Sequence, residues 1–184
     1  METMEQLSHK IFEYFSDQIR PYFVNDTITF EIMKDESEVF FQNWMSIILV
    51  SNSDFRLTIK VYCKESDILD MGRRAFLGIE DKSEKAISDF VKELANLLGG
   101  TLKRALETSG VVSGLSLPLL VRAFDDLFFS KTPTSETFLA KYSSEGKDFM
   151  VQLYFEFMTS NSREKLLNLQ ITNPSVGSGE FEFL

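Results

Sequence analysis

The chain contains very few residues of the two types that most often bind metals or form nucleophile–base pairs. Cys63 is the only cysteine and His9 the only histidine. A lone cysteine excludes an internal disulfide, and its place at the end of an alternating apolar run predicts a buried, inert thiol. A Ser-His-Asp triad, a Cys-His pair or a histidine-rich metal site would need His9, which lies in a predicted surface helix with no nucleophile nearby. We therefore expect no metal site of the chain's own.

The chain also lacks long hydrophobic runs and an excess of positive charge. No window approaches roughly 18 consecutive apolar residues, and residues 1–6 show neither a basic n-region nor an apolar h-region. These features predict a cytoplasmic protein without a membrane span or signal peptide. The formal net charge of −9 repels phosphate backbones, so nucleic-acid binding is disfavoured.

The chain does have the apolar content needed for one well-packed domain. Of its 184 residues, 43% are hydrophobic, and 18 are phenylalanine. The predicted elements, in chain order, are a helix at 4–19, a strand at 27–32, a hairpin of 44–50 and 55–61, a short helix at 65–77, a long helix at 82–107, an extended segment at 111–121, a second hairpin of 138–142 and 149–157, and a helix that starts at 161. Hairpins separated by two helical stretches predict an α/β domain with a mixed, largely antiparallel sheet and long helices packed on one face.

The long helix carries a polar row on the side opposite its apolar stripe. At about 100° per residue, Asp89, Glu93 and Asn96 fall within about 60° of one another. Amphipathic helices are polar on their outer side, so a merely solvated face is one interpretation of this row.

Two glycines follow the polar row. Gly100 lies one turn beyond Asn96 and continues the same face, so a partner's backbone could approach closely there. Alternatively, the Gly99-Gly100 pair could break the helix. Because Leu102, Ala105 and Leu106 continue the apolar period, we expect an unbroken helix.

Asp89, Glu93 and Asn96 resemble the Asp/Ser-x3-Glu-x2-Asn signature of the CheX/CheC/FliY chemotaxis phosphatases. In that family a glycine follows the Asn at short range and a proline lies about 22 residues beyond it. Gly100 and Pro118 stand in those places. CheC-like members usually carry two copies of the signature and CheX-like members one, so the single copy here is closer to CheX.

The resemblance implies a CheX-like phosphatase domain over residues 1–160. Beyond it, the residues at 161–184 predict a short helix and a flexible C-terminal tail. It implies a phosphorylated CheY-like receiver domain as partner and substrate. By this resemblance, the long helix enters the receiver's active site, Asn96 orients the attacking water and Glu93 pairs with the receiver's lysine. Asp89, Gly100 and Pro118 would be supporting positions.

The same resemblance implies that the chain needs no cofactor of its own, because the receiver partner supplies Mg²⁺. A homodimer formed through sheet edges is also expected. The apolar strands at 138–142 and 149–157 are the candidate edges.

Two other functions stay open at this point. The chain could dock on a receiver without hydrolysing its phosphate, as a binding module. It could also be a structural or adaptor protein of a two-component pathway, with a long helix that is simply solvated.

Overall fold

The computed structural model describes residues 2–23, 27–34, 44–71, 84–122 and 133–169. The helices are α1 (Met4–Ile19), α2 (Glu65–Met71), α3 (Glu84–Thr108) and α4 (Ser162–Leu167). The strands are β1 (Thr29–Met33), β2 (Trp44–Ser51), β3 (Phe55–Cys63), β4 (Gly114–Leu115), β5 (Leu119–Arg122), β6 (Ser135–Ser144) and β7 (Lys147–Phe157). A short 3₁₀ turn, Arg20–Tyr22, follows α1.

The strands form one sheet in the order β1-β6-β7-β3-β2-β4, and β5 also pairs with β2. Every pairing among the described strands is antiparallel. Alternate strand residues join the buried stripes of α1 and α3 in one hydrophobic core, so both long helices cover the same face. This arrangement confirms the predicted α/β class with its largely antiparallel sheet.

The position of β6 and β7 in the sheet corrects one expectation. Strand β6 lies between β1 and β7, and β7 lies between β6 and β3. Both strands are therefore interior, and the interpretation of 138–142 and 149–157 as sheet edges is wrong. Among the described strands, the edges are β1 on one side and β4 with β5 on the other.

The start of α1 is set by a capping box. The Thr3 hydroxyl accepts a hydrogen bond from the Gln6 backbone N–H, and the Gln6 side chain accepts one from the Thr3 N–H. Pro21 then ends the helix, as predicted, because it cannot donate a helical hydrogen bond.

Helix α3 is unbroken over 25 residues, so the alternative in which the glycine pair breaks it is wrong. A Cβ at Gly99 would lie 2.8 Å from Leu115 Cδ1 and 3.0 Å from Ile48 Cδ1. Gly99 therefore lets the helix pack closely on β2 and β4. The helix ends at Thr108, and Gly110 follows with a φ of +80°, which suits a residue without a side chain.

Both predicted hairpins are present. In the second, the strands run closer to the turn than predicted, because Glu145 and Gly146 have φ of 51° and 77° and form a two-residue turn. Ser144 and Lys147 therefore still pair across the ladder. Pro118 interrupts the predicted extended segment and separates β4 from β5, as expected of a residue without an N–H.

Helix α4 begins at Ser162, next to the predicted Asn161 cap, but Asn161 makes no side-chain capping hydrogen bond. Leu166 and Leu167 pack into the main core. Residues 170–184, predicted as a tail, and the second half of the helix predicted at 65–77 lie outside the described residues.

Candidate functional site on the outer face of helix α3

The outer face of α3 carries the residues singled out in the sequence. The buried stripe of this helix includes Phe90, Val91 and Leu94, which point into the core. Glu93 and Asn96 are half-buried on the other side, and Asp89 is exposed. The periodicity of the helix therefore places the polar row at the surface, where a second molecule can reach it.

Glu93 and Asn96 are joined by a hydrogen bond. Asn96 Nδ2 donates to Glu93 Oε2 over 3.4 Å. The carbonyl oxygen Oδ1 of Asn96 accepts no hydrogen bond from the described residues, so it is available as an acceptor. Glu93 makes no ion pair within the described part of the chain. Among these residues, the pair thus presents one carbonyl acceptor and one carboxylate without a cationic partner.

Asp89 is tied to a neighbour on its own helix. Its carboxylate lies 3.0 Å from Lys92 Nζ, and 58% of its side chain is exposed. No hydrogen bond or ion pair among the described residues links it to Glu93 or Asn96. Asp89 belongs to the same face but stands apart from the bonded pair.

The two glycines of α3 differ in their surroundings. Gly99 faces the sheet, as described above, whereas Gly100 faces outwards. A Cβ at Gly100 would meet only Arg104 Nη1, at an ordinary contact distance of 3.6 Å. Gly100 is therefore not required for packing, and the side chain that lies over it is that of Arg104.

Pro118 is half-buried in the connection between β4 and β5. The strands on either side of it pair with β2, and β4 touches α3 at Gly99. Next to it, the side chains of Leu117 and Leu119 are 90% and 54% exposed. Pro118 thus lies in an apolar, solvent-facing segment near the helix.

Tyr22, which the sequence did not single out, lies within the electrostatic reach of Glu93. Burial raises the pKa of the Tyr22 hydroxyl, and the Glu93 carboxylate raises it further. The 3₁₀ turn after α1 therefore borders the polar row. No pattern along the chain relates residues 22 and 93, since only the packing of α1 on α3 brings them together.

The described residues contain no group of three or more His, Cys, Asp or Glu side chains that could hold a metal ion. The Cys63 thiol is buried, and burial raises its pKa well above the usual range. A protonated, enclosed thiol is a poor nucleophile. His9 lies on α1, where its contacts are with Glu13 and Phe30. The chemistry of the site accordingly rests on carboxylate, carboxamide and guanidinium groups.

Comparison with known proteins gives a fold for this arrangement. No protein-family model and no curated protein matches the sequence. Solved structures match most of the chain, among them the following three. A CheC-like superfamily protein from Shewanella sp. PV-4 has a TM-score of 0.64 at 16% identity, covering 84% of this chain and 99% of its own. The chemotaxis protein CheX from Vibrio vulnificus has a TM-score of 0.60 at 17% identity, with 79% and 96% covered. A chain of the CheX–CheY–BeF3–Mg²⁺ complex from Borrelia burgdorferi has a TM-score of 0.65 at 14% identity, with 81% and 97% covered.

The fold is that of the CheX and CheC-like chemotaxis proteins. At such low identities the likeness is one of fold, and a shared fold does not by itself transfer an activity. Within this CheX-like fold, an activity has to be inferred from the chemistry of the site residues.

The CheX-like fold brings together some of the predicted site residues and leaves others apart. Glu93 and Asn96 are in direct contact, and Gly100 lies one turn further along the same face. Asp89 and Pro118 lie nearby, but no hydrogen bond or ion pair among the described residues links either of them to that pair. Arg104, whose guanidinium lies over Gly100, was missed, although its position four residues after Gly100 was a usable signal.

None of the helices in the described ranges is long and apolar enough to cross a membrane.

Proposed function

We propose that the chain is a CheX-like member of the CheC/CheX/FliY family and a phosphatase. Its substrate would be the aspartyl-phosphate on a CheY-like receiver domain. The observation that carries the proposal is the bonded Glu93–Asn96 pair on the outer face of an unbroken helix. A convex helix face suits insertion into another protein's active site, whereas a small-molecule enzyme would be expected to hold its substrate in a concave pocket.

The reaction asks little covalent chemistry of a helper protein. An aspartyl-phosphate is a mixed anhydride. Hydrolysis forms a bond from a water oxygen to phosphorus and breaks the bond from phosphorus to the carboxylate, which leaves with the electron pair. The proton lost by the water goes to phosphate or solvent. Positioning of that water and stabilisation of charge supply most of the acceleration in such transfers.

Asn96 has the chemistry to position the water. Its Nδ2 is engaged by Glu93, so its Oδ1 is the group offered to a hydrogen of the water. A carboxamide does this without being ionised or consumed. The hydrogen bond from Asn96 to Glu93 also limits rotation of the amide, so the carbonyl is held ready before the partner arrives.

Glu93 has a different role in this proposal. A carboxylate facing a phosphoryl group would be repelled, so Glu93 needs a cation from the partner. We propose that this cation is the lysine of the receiver's active site. An ion pair that forms in a dry interface also fixes the orientation of the helix in the site.

The metal ion belongs to the partner in this proposal. The described residues offer no metal cluster of their own, so Mg²⁺ on the receiver would neutralise the phosphoryl oxygens. The solved CheX–CheY complex from Borrelia burgdorferi, which includes BeF3 and Mg²⁺, supports a CheY-like partner.

Exposed apolar side chains that follow α3 also support a protein partner. Val112 and Leu117 are 85% and 90% exposed, on either side of β4, which packs against α3 at Gly99. Exposed apolar side chains of this kind are typical of protein-binding surfaces. A homodimer and a cytoplasmic location also stay predictions, and sedimentation at micromolar concentration would test the former.

The proposal is tested with purified CheY-like receivers of the source organism, phosphorylated with acetyl phosphate. We expect the chain to accelerate phosphate loss from at least one receiver. Asn96→Ala should abolish the acceleration and leave receiver binding nearly unchanged. Asn168→Ala is the matched control, because it removes the same side chain from an exposed site at the C-terminal end of α4. Thermal unfolding of each variant checks that it is folded.

Two results would count against the proposal. If the native protein binds a receiver but leaves its phosphate decay unchanged, the chain is a binding module. If Asn96→Ala is as active as the native protein, Asn96 is not the water-positioning residue.

A further inference from the structure

Arg104 places a cation next to the candidate site. A helical side chain leans towards the N-terminus of its helix, and Arg104 leans back over Gly100. Its Nη1 is 3.6 Å from the position that a Cβ of Gly100 would occupy. Its Nη2 donates to Thr101 Oγ1 over 3.4 Å. A methyl group at Gly100 would touch the guanidinium at an ordinary contact distance, so the guanidinium lies directly over this glycine.

Arg104 makes no ion pair within the described part of the chain. In contrast, Lys103 Nζ lies 2.8 Å from the Glu107 carboxylate, and Lys92 Nζ lies 3.0 Å from Asp89. Those lysines have their charges matched on the helix itself. Arg104 has no carboxylate partner among the described residues, and its hydrogen bond to Thr101 uses only part of its five donors.

The Arg104 guanidinium lies at the level of Gly100, one helical turn beyond Asn96. Asn96 and Gly100 are four residues apart on one helix, which is about 6 Å along the axis. That spacing admits a phosphoryl group that touches a water on Asn96 and the Arg104 guanidinium at once. A planar guanidinium donates two parallel hydrogen bonds to phosphoryl oxygens, which an ammonium does not.

We propose that Arg104 is a phosphoryl-binding residue of this site. This inference rests on the proposed receiver phosphatase function and adds a group that touches the substrate. Arg104 donates hydrogen bonds to the non-bridging phosphoryl oxygens while the water bonds to phosphorus and the aspartyl carboxylate leaves. It neither gains nor loses a proton. Along α3, Glu93 then meets the partner's cation and Arg104 meets the partner's anion.

The test compares Arg104→Gln, Arg104→Lys and Lys103→Gln. The first and third remove the same charge from neighbouring positions of one helix, so Lys103→Gln controls for net charge. Phosphate release is measured against receiver concentration for each protein. We expect Arg104→Gln to lower kcat/KM about tenfold or more, and Lys103→Gln to change it less than about twofold. Arg104→Lys should recover part of the lost kcat/KM, because it restores the positive charge but not the two parallel hydrogen-bond donors of the guanidinium.

A binding experiment identifies the group of the receiver that Arg104 contacts. Binding of each variant is measured to the receiver with and without BeF3⁻, which mimics the phosphoryl group. We expect the native protein to prefer the BeF3⁻ form, and Arg104→Gln to lose most of that preference. Equal weakening towards both forms would mean that Arg104 contacts an acidic side chain of the receiver, and the phosphoryl assignment would be wrong.

The outcomes separate this inference from the function beneath it. If the native protein acts on a receiver and Asn96→Ala does not, but Arg104→Gln behaves like Lys103→Gln, only the Arg104 assignment is overturned. If the native protein acts on none of the receivers, the proposed function is wrong, and so is the Arg104 assignment that rests on it.

Discussion

The two adjacent glycines of α3 should respond to the same substitution in opposite ways. In Gly99→Ala the new methyl group would lie 2.8 Å from Leu115 Cδ1 and 3.0 Å from Ile48 Cδ1. Ile48 is fully buried, so it has little room to move. Overpacking of this kind costs about 1–3 kcal/mol, against a gain of about 1 kcal/mol in helix propensity. We expect Gly99→Ala to lower the free energy of unfolding by up to about 2 kcal/mol.

In Gly100→Ala the methyl group would have only one contact, at 3.6 Å from Arg104 Nη1. The gain in helix propensity should then be kept almost in full, at about 1 kcal/mol. Since about 1 kcal/mol moves the Tm of a chain of this size by roughly 2–4 °C, the two variants should differ by several degrees. Urea unfolding followed by circular dichroism gives the free energies directly.

The same pair separates stability from function. Gly100→Ala should be more stable than the native protein yet slower at receiver dephosphorylation, because the methyl group keeps a partner's backbone from approaching the surface beyond Asn96 as closely. A Gly99→Ala variant as stable as Gly100→Ala would refute the reasoning, since it would show that α3 does not pack on β2 as closely as described.

Two further outcomes are expected. Glu93→Gln keeps an acceptor for Asn96 Nδ2 but loses the charge, so it should raise KM for the phosphorylated receiver and change kcat less than about threefold, whereas Glu93→Ala should impair both. Equal losses in the two variants, measured by phosphate release, would contradict this division of roles. Burial raises the pKa of the Tyr142 hydroxyl, which donates to the Phe12 carbonyl over 2.8 Å. The folded protein therefore holds this proton more tightly than the unfolded chain, so stability should fall as the pH rises above about 10. Tyr142→Phe should cost about 1 kcal/mol at pH 7 and flatten that alkaline fall in urea titrations, and an unchanged fall would contradict it.

The polar row of α3 could be predicted from the sequence because it depends on one helix alone. Asp89, Glu93 and Asn96 share a face whenever residues 84–108 are helical, whatever the helix packs against. The hairpins could be predicted for the same local reason, since turn residues and alternation lie within a few residues of each other.

What could not be predicted depends on contacts distant in sequence. The need for glycine at 99 comes from Ile48 and Leu115, which only the folded sheet brings beside it. The interior place of β6 depends on its pairing with β1, more than 100 residues earlier in the chain. The proximity of Tyr22 to Glu93 likewise follows from helix packing. Arg104 was accessible to sequence reasoning, but its free charge is evident only once the ion pairs of its neighbours are known.

Helix α3 runs 25 residues without a break, so the spacing between its outward-facing side chains is fixed. The intervals between its anion, its amide and its cation are multiples of a helical rise, and no loop can stretch or shorten them. A partner must therefore offer groups at the same intervals. New partners would be gained by exchanging the side chains at these positions, because the spacing between them is set by backbone hydrogen bonds.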